Sequence, residues 1–193
     1  MLTATLLTFC LTQPIDTTAI TPIPREHDWW VHRVGNIQQK VNQMGANAQV
    51  LFIGDSITQG WEGGGATAWE KHIAPLGALN LGISGDRTEH VLWRLNHGHL
   101  DGLSPKVAVI MIGTNNFGQS DSDSPKEVLS GVVAVVEVLH EKLPRTHILL
   151  LDIFPRGTHF NEMRGDILQV NQAMQAKYET NEQVTVLSIG HNF

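Results

Sequence analysis

The residues best suited to chemistry are a serine, a glycine and an asparagine, each of which follows a short apolar run. Ser56 follows the run 50–53, Gly85 follows 78–83 and Asn115 follows 107–112. Such runs are typical of strands buried in a parallel sheet. Because the carboxyl ends of parallel strands meet at one edge, where open α/β proteins bind ligands, we expect the three residues to converge there.

A hydroxyl surrounded by N–H donors is the equipment of acyl transfer. We expect Ser56 to attack a carbonyl carbon, and its own backbone N–H, that of Gly85 and the Asn115 amide to form the oxyanion hole. Glycine at position 85 leaves room for the substrate carbonyl. Each residue alone is ordinary turn chemistry, and Ser56 alone could be only a helix cap. Their order on successive strands favours the catalytic interpretation.

Four neighbours are expected to support this site rather than react. Asp55 carries a charge that suits a helix start, so we expect it to be structural. Asn116 is expected to brace the loop that holds Asn115. For Arg87 and Arg94 we expect salt bridges.

The elements that must position these residues alternate between strands and helices. Two further apolar runs, 147–153 and 184–189, bring the expected strands to five. Helical spacing of apolar residues covers 28–44, 88–95 and 162–178, and a capping box opens another helix at Ser124 that Pro144 ends. This alternation predicts one α/β domain with a parallel sheet and helices on both faces.

Composition narrows the classes of partner. The chain has 193 residues, a net charge of −6 and a pI near 5.9, which argues against nucleic-acid binding. Its single cysteine, Cys10, excludes an internal disulfide and a cysteine-based zinc site. We expect no metal and no cofactor, and the apolar stretch 2–11 is too short and too polar to cross a membrane.

The amino-terminal segment is expected to lie outside the folded domain. Residues 1–25 are expected to be a disordered leader or a degraded signal segment, with the domain at 26–193. The pattern slightly favours a secreted or periplasmic protein, and a cytoplasmic one is the alternative, because a basic region at the start is missing.

Three motif blocks of this chain resemble those of the SGNH (GDSL-type) hydrolase family. They are Gly54-Asp55-Ser56, Ser84-Gly85-Asp86 and Gly113-Thr114-Asn115-Asn116. The platelet-activating-factor acetylhydrolase Ib catalytic-subunit branch is most similar, through runs at 80–82, 90–95, 155–157 and 170–172. The resemblance implies a flavodoxin-like three-layer α/β/α fold with a five-stranded sheet. It also implies metal-free hydrolysis of small acyl esters, with Ser56 as nucleophile.

The fourth block of that family, Asp-x-x-His, supplies the general base and its acid, and it is not found after Ser56. The general base is therefore unknown. His191, just past the fifth strand, is one candidate. His90, His97 and His99 are expected to cap a helix or face solvent. We also expect the domain to be incomplete at its carboxyl end and the sheet to lack its final helix.

Two functions remain open on the sequence. The first is a serine esterase that removes a short acyl group, such as acetyl, from a lipid or a carbohydrate. The second is a catalytically silent domain that binds an acylated ligand or a partner subunit. An uncovered sheet face would also favour a homodimer.

Overall fold

The chain folds around one parallel sheet. The structure is a computed structural model that describes residues 17–118 and 122–192. Its strands are β1 (Val50–Gly54), β2 (Ala78–Asn80), β3 (Val107–Met111), β4 (His147–Leu151) and β5 (Val184–Leu187). All neighbours are parallel, in the order β2-β1-β3-β4-β5. This is the flavodoxin-like order, and it confirms the predicted fold class.

The four longest of the seven α-helices lie where the apolar spacing and the capping box predict them, and the three short ones, at 56–59, 66–68 and 114–117, were not predicted. They are α1 (Asp28–Met44), α2 (Ser56–Gln59), α3 (Ala66–Ala68), α4 (Thr88–Asn96), α5 (Thr114–Phe117), α6 (Pro125–Lys142) and α7 (Glu162–Tyr178). The predicted capping box is present: Glu127 Oε2 accepts from the Ser124 N–H at 2.8 Å, and Ser124 Oγ accepts from the Glu127 N–H at 3.4 Å.

Crossover handedness places helices on both faces of the sheet. The connections from β2 to β3, from β3 to β4 and from β4 to β5 all move across the sheet in the same direction. Right-handed crossovers therefore put their helices, α4, α6 and α7, on one face. The step from β1 to β2 runs the other way, which sends the connection 55–77 to the opposite face. There the Trp69 ring lies 5.1 Å from the Phe52 ring.

The two faces are covered unequally. On the face of α4, α6 and α7, the strand side chains of Leu51, Ile53, Ala108, Ile110 and Ile148 are fully buried. On the other face, Phe52, Val109, Leu149 and Leu151 are only partly buried, and Leu187 is 40% exposed. The main core therefore lies on one side of the sheet.

Part of the predicted leader packs on the domain. A 3-10 turn, Thr18–Ile20, buries Ala19, whose carbonyl accepts from Thr88 Oγ1 at 2.8 Å. The Ile23 N–H donates to the Glu89 carbonyl at 3.3 Å. Residues 1–16 lie outside the described residues, and the domain boundary at 26 stays a prediction.

No helix in the described ranges combines the length and the apolar character that crossing a bilayer requires.

Candidate active site

Ser56 is the first residue of α2, at the end of β1, and it is exposed. Its N–H belongs to the first turn and has no acceptor within the helix. Asp55 caps this helix, because its Oδ1 accepts from the Ile57 N–H at 2.9 Å. A side chain at Gly54 would collide with Thr58 and with the Met111 carbonyl, so the tight strand-to-helix turn requires glycine before Asp55. The turn therefore presents the Ser56 hydroxyl at the carboxyl edge of the sheet.

Gly85 lies in the turn after β2 with φ +74°, a backbone conformation that favours glycine. The turn is held on both sides: the Ser84 N–H donates to Gln59 Oε1 at 2.7 Å, and the Asp86 N–H donates to the Ile83 carbonyl at 3.2 Å. Among the described residues the Gly85 N–H has no acceptor. It is therefore a backbone donor free to meet a ligand.

Asn115 lies at the start of α5, after β3, and connects the other two loops. Its Nδ2 donates to the Asp86 carbonyl at 2.9 Å and reaches Asp55 Oδ2 at 3.4 Å. One amide thus contacts the residue that follows Gly85 and the residue that precedes Ser56. The structure brings the three strand ends together, while the catalytic roles of these residues stay predictions.

Asn116 is fully buried and ties α5 to α4. Its Oδ1 accepts from the Thr88 N–H at 3.1 Å, and its Nδ2 donates to Asp123 Oδ2 at 2.8 Å. Asp123 in turn pairs with Arg87 Nη2 at 2.7 Å. These contacts fix the loop that carries Asn115, in line with the bracing role expected for Asn116.

A second buried network supports the Gly85 turn. Asp86 Oδ2 pairs with Arg94 Nε at 2.8 Å and its Oδ1 accepts from Trp30 Nε1 at 2.7 Å. Arg94 Nη1 also lies 3.2 Å from His99 Nδ1. The expectation that His99 caps a helix or faces solvent is wrong: it is 0% exposed, because its ring fills the space between Arg94 and α1.

Burial perturbs the carboxyl group next to Ser56. The pKa of Asp55 is raised to about 6, chiefly by burial and to a lesser extent by the nearby Asp86 carboxylate, against the opposing effects of the Ile57 N–H and the Arg156 guanidinium. On α4, burial lowers the pKa of His90 to about 4, helped by the positive charges of Arg25 and its neighbours. His90 stays neutral and its Nδ1 accepts from the Arg87 N–H at 3.0 Å, a capping role.

The general base is not assigned by the described side chains. None of their hydrogen bonds joins a histidine to Ser56, and the side chain of His191 lies outside the description. Nor does any group of three or more histidine, cysteine or acidic side chains in the described ranges suit a metal ion.

Two features near this edge were missed on the sequence. Asp152, after β4, is 3% exposed; its Oδ2 accepts from Ser188 Oγ at 2.6 Å, and its Oδ1 has no partner among the described residues. The sequence signal that could have indicated Asp152 is a polar residue inside the apolar run 147–153.

The second feature, Arg25, lies beside Gly85, with Nη1 3.0 Å from the Ser84 carbonyl. No local pattern pointed to it.

An apolar groove of about 490 Å³ runs along the less covered sheet face beside α2. Its walls include Ile57, which directly follows Ser56, and Trp61, Val109 and Leu151. An apolar surface therefore lies beside the exposed Ser56 hydroxyl.

Known proteins are similar to this chain in sequence and in fold. The platelet-activating factor acetylhydrolase IB subunit alpha1 of Pongo abelii is 40% identical over 128 residues, which cover 66% of this chain and 53% of that protein. The alpha2 subunit of Rattus norvegicus is 38% identical over 144 residues, 75% of this chain and 60% of the relative. The chain thus spans a little more than half the length of these relatives.

A solved structure of an acetyl-xylooligosaccharide esterase from Geobacillus stearmophilus superposes with a TM-score of 0.56 at 21% identity, covering 74% of this chain and 77% of that one. At this identity the likeness shows the fold. The model of the GDSL-like lipase/acylhydrolase family matches residues 52–193, a range that contains all three strand-end loops. The chain therefore belongs to the GDSL-like lipase/acylhydrolase family, which confirms the resemblance seen in its motifs.

Proposed function

We propose that this protein is a serine esterase that removes a short acyl group, such as acetyl, from a lipid or a carbohydrate. Membership of an acylhydrolase family points to this class of reaction. The observation that carries the proposal is the Asn115 amide, which contacts the neighbours of both Ser56 and Gly85. Nucleophile and donors belong to loops that are held against one another.

In the proposed reaction Ser56 Oγ attacks the acyl carbon. The developing oxyanion is stabilised by the N–H groups of Ser56 and Gly85 and by Asn115 Nδ2. The alcohol leaves with a proton, and water then hydrolyses the acyl-enzyme. The base that accepts the Ser56 proton is not assigned to a residue. Without a triad member, an oxyanion hole still provides roughly 10³–10⁴-fold acceleration over water.

The resting contacts of Asn115 impose a small rearrangement. Both amide protons already face acceptors, the Asp86 carbonyl at 2.9 Å and Asp55 Oδ2 at 3.4 Å. The longer contact is the weaker one, so the proton facing Asp55 is the one to turn toward an oxyanion. Catalytic hydrogen bonds often tighten only when substrate binds.

The test is hydrolysis of p-nitrophenyl acetate by the wild type and by Ser56→Ala. We expect Ser56→Ala to lower the rate strongly and to leave at most the residual acceleration of the oxyanion hole. The control Ser130→Ala, at a half-buried serine on α6, should keep the wild-type rate. His191→Ala added to the series shows whether that residue is the base. Equal rates for wild type and Ser56→Ala would refute the esterase.

The alternative function is a silent domain that binds an acylated ligand. The observation that favours it is that none of the hydrogen bonds of the described side chains joins a histidine to Ser56. Saturable binding of an acetylated ligand without Ser56-dependent turnover would support this alternative.

A further inference from the structure

The turn that carries Gly85 holds more positive than negative charge. The Asp86 carboxylate faces two guanidinium groups, Arg94 at 2.8 Å and Arg25 at 4.0 Å. Arg94 and Asp86 are both 0% exposed and form the closer pair, whereas the Arg25 side chain is 20% exposed. The charge of Arg25 is therefore only partly compensated, and it is accessible from solvent.

Arg25 is held in place before any ligand arrives. Its Nη1 donates to the Ser84 carbonyl at 3.0 Å, and its guanidinium lies 4.8 Å from the centre of the Trp29 ring. A Cβ on Gly85 would lie only 2.8 Å from Nη1, so the guanidinium rests directly on the Gly85 backbone. A pre-organised guanidinium is well suited to phosphate or carboxylate, since its planar fork matches their oxygens.

The surroundings strengthen this positive character. On the opposite side of the site, Arg156 Nη1 donates to the carbonyl of Thr114, next to Asn115. Burial is the main cause of the lowered pKa of His90, and the positive charges of Arg25, Arg87 and Arg94 lower it further.

We propose that Arg25 makes the Ser56 site selective for acyl esters that carry an anionic group close to the scissile bond. The inference rests on the esterase proposed above and refines its substrate class. The shared chemistry is an anionic oxygen group, either the phosphate of a glycerolipid or the carboxylate of an acidic sugar. The guanidinium beside Gly85 would bind that group while the carbonyl oxygen enters the hole.

The experiment compares matched pairs of acetyl esters that differ in the anion. The first pair is 1-acetylglycerol 3-phosphate and 1-acetylglycerol, and the second is an O-acetylated methyl glucuronide and the corresponding glucoside. Acetate release gives kcat/KM for wild type, Arg25→Gln and Arg25→Lys. We expect the wild type to prefer the anionic member, and Arg25→Gln to reduce that preference by about 10-fold, the worth of one charged hydrogen bond. Arg25→Lys should retain part of it, and the pair that responds identifies the source of the anion.

Control variants distinguish two roles of Arg25, binding the anion of the substrate and supporting the turn that carries Gly85. Arg145→Gln, an exposed arginine at the turn before β4, should leave the preference unchanged. If Arg25→Gln slows both members of a pair equally, Arg25 only positions Gly85 and selectivity is refuted. Ser56-dependent hydrolysis without any preference for the anion refutes the inference and leaves the esterase intact.

A binding measurement keeps the inference testable if no ester is hydrolysed. In the Ser56→Ala protein, calorimetric affinity for 1-acetylglycerol 3-phosphate should exceed that for 1-acetylglycerol, and adding Arg25→Gln should abolish the difference. Equal affinities would overturn the role of Arg25. Urea unfolding of each variant shows that it is folded during these measurements.

Discussion

The two halves of the strand-end edge are built differently. Across β2, β1 and β3, the loops are locked by a buried ion pair, a helix cap and an asparagine amide that spans two of them. Across β4 and β5, the buried Asp152 has one oxygen bound by Ser188 and one without a partner in the described residues. A cavity of about 480 Å³ opens beside it.

The difference shows where geometry is fixed in advance. The polar side chains of the first half bond to one another and to the loop backbone, which holds the donors near Ser56 in place, as electrostatic stabilisation of an oxyanion requires. The second half carries a buried polar group that gains little from its present partners. Substitutions of comparable chemistry should therefore lower stability or activity strongly in the first half and weakly in the second.

The largest effect is expected from Arg94→Met in the first half. The substitution leaves the fully buried Asp86 carboxylate without its closest cation, and breaking such a pair typically costs about 3–5 kcal/mol. Urea unfolding gives the change in the free energy of unfolding. Arg145→Met, on the surface, is the matched control. A loss below about 1 kcal/mol would mean that the network does not lock the Gly85 turn.

Asn115→Ala should be the next largest effect, and it concerns activity. If the amide stabilises the oxyanion, kcat on p-nitrophenyl acetate falls by about 10²–10³-fold with a much smaller change in KM. Asn96→Ala, an exposed asparagine at the end of α4, serves as control. A drop in stability with kcat unchanged would assign Asn115 a purely structural role between the loops.

Asp55→Asn tests how much the buried carboxylate beside Ser56 lowers the free energy of unfolding when it is ionised. The pKa of Asp55 is about 6 in the folded chain against an ordinary value of 3.8 for aspartate, so between these values the native state binds more protons than the unfolded state. The Asp55 contribution to stability therefore falls as pH rises through about 4 to 6 and stays low above. The shift corresponds to about 2–3 kcal/mol.

Urea unfolding at pH 4 and at pH 7 measures this directly. Asparagine keeps the cap on the Ile57 N–H but cannot ionise, so the variant should gain stability relative to wild type at pH 7 and not at pH 4. Taking the difference between variant and wild type cancels other titrating groups such as His90. If the difference in the free energy of unfolding between variant and wild type were the same at both pH values, the raised pKa of Asp55 would be contradicted.

The periodic parts of the fold could be predicted from the sequence because local pattern determines them. The bounds of α1 and α7 agree with the apolar spacing, and the capping box at Ser124 forms as expected. β2 is shorter than its apolar run 78–83, although the Leu81 and Ile83 N–H groups still donate to β1 carbonyls. Strand ends fray where only one neighbour is present, and β2 is an edge strand.

The residues that the sequence could not place depend on contacts between distant segments. His99 is buried because Arg94 and α1 surround it, and Arg25 reaches Gly85 from the amino-terminal segment. Neither contact has a local signature. The motif order predicted that Ser56, Gly85 and Asn115 share an edge, but the amide that connects their loops is visible only in the structure.

The smallest effect is expected from Asp152→Asn, in the second half of the edge. The amide oxygen of asparagine can still accept a hydrogen bond from the Ser188 hydroxyl, which now lies 2.6 Å from Oδ2. The NH₂ group replaces Oδ1, which already lacks a partner among the described residues, so the number of unsatisfied buried polar groups does not rise. We expect the free energy of unfolding to change by less than about 1 kcal/mol. A loss of 3 kcal/mol or more in urea unfolding, close to that of Arg94→Met, would mean that Asp152 is as tightly integrated as Asp86 and that the two halves of the edge do not differ.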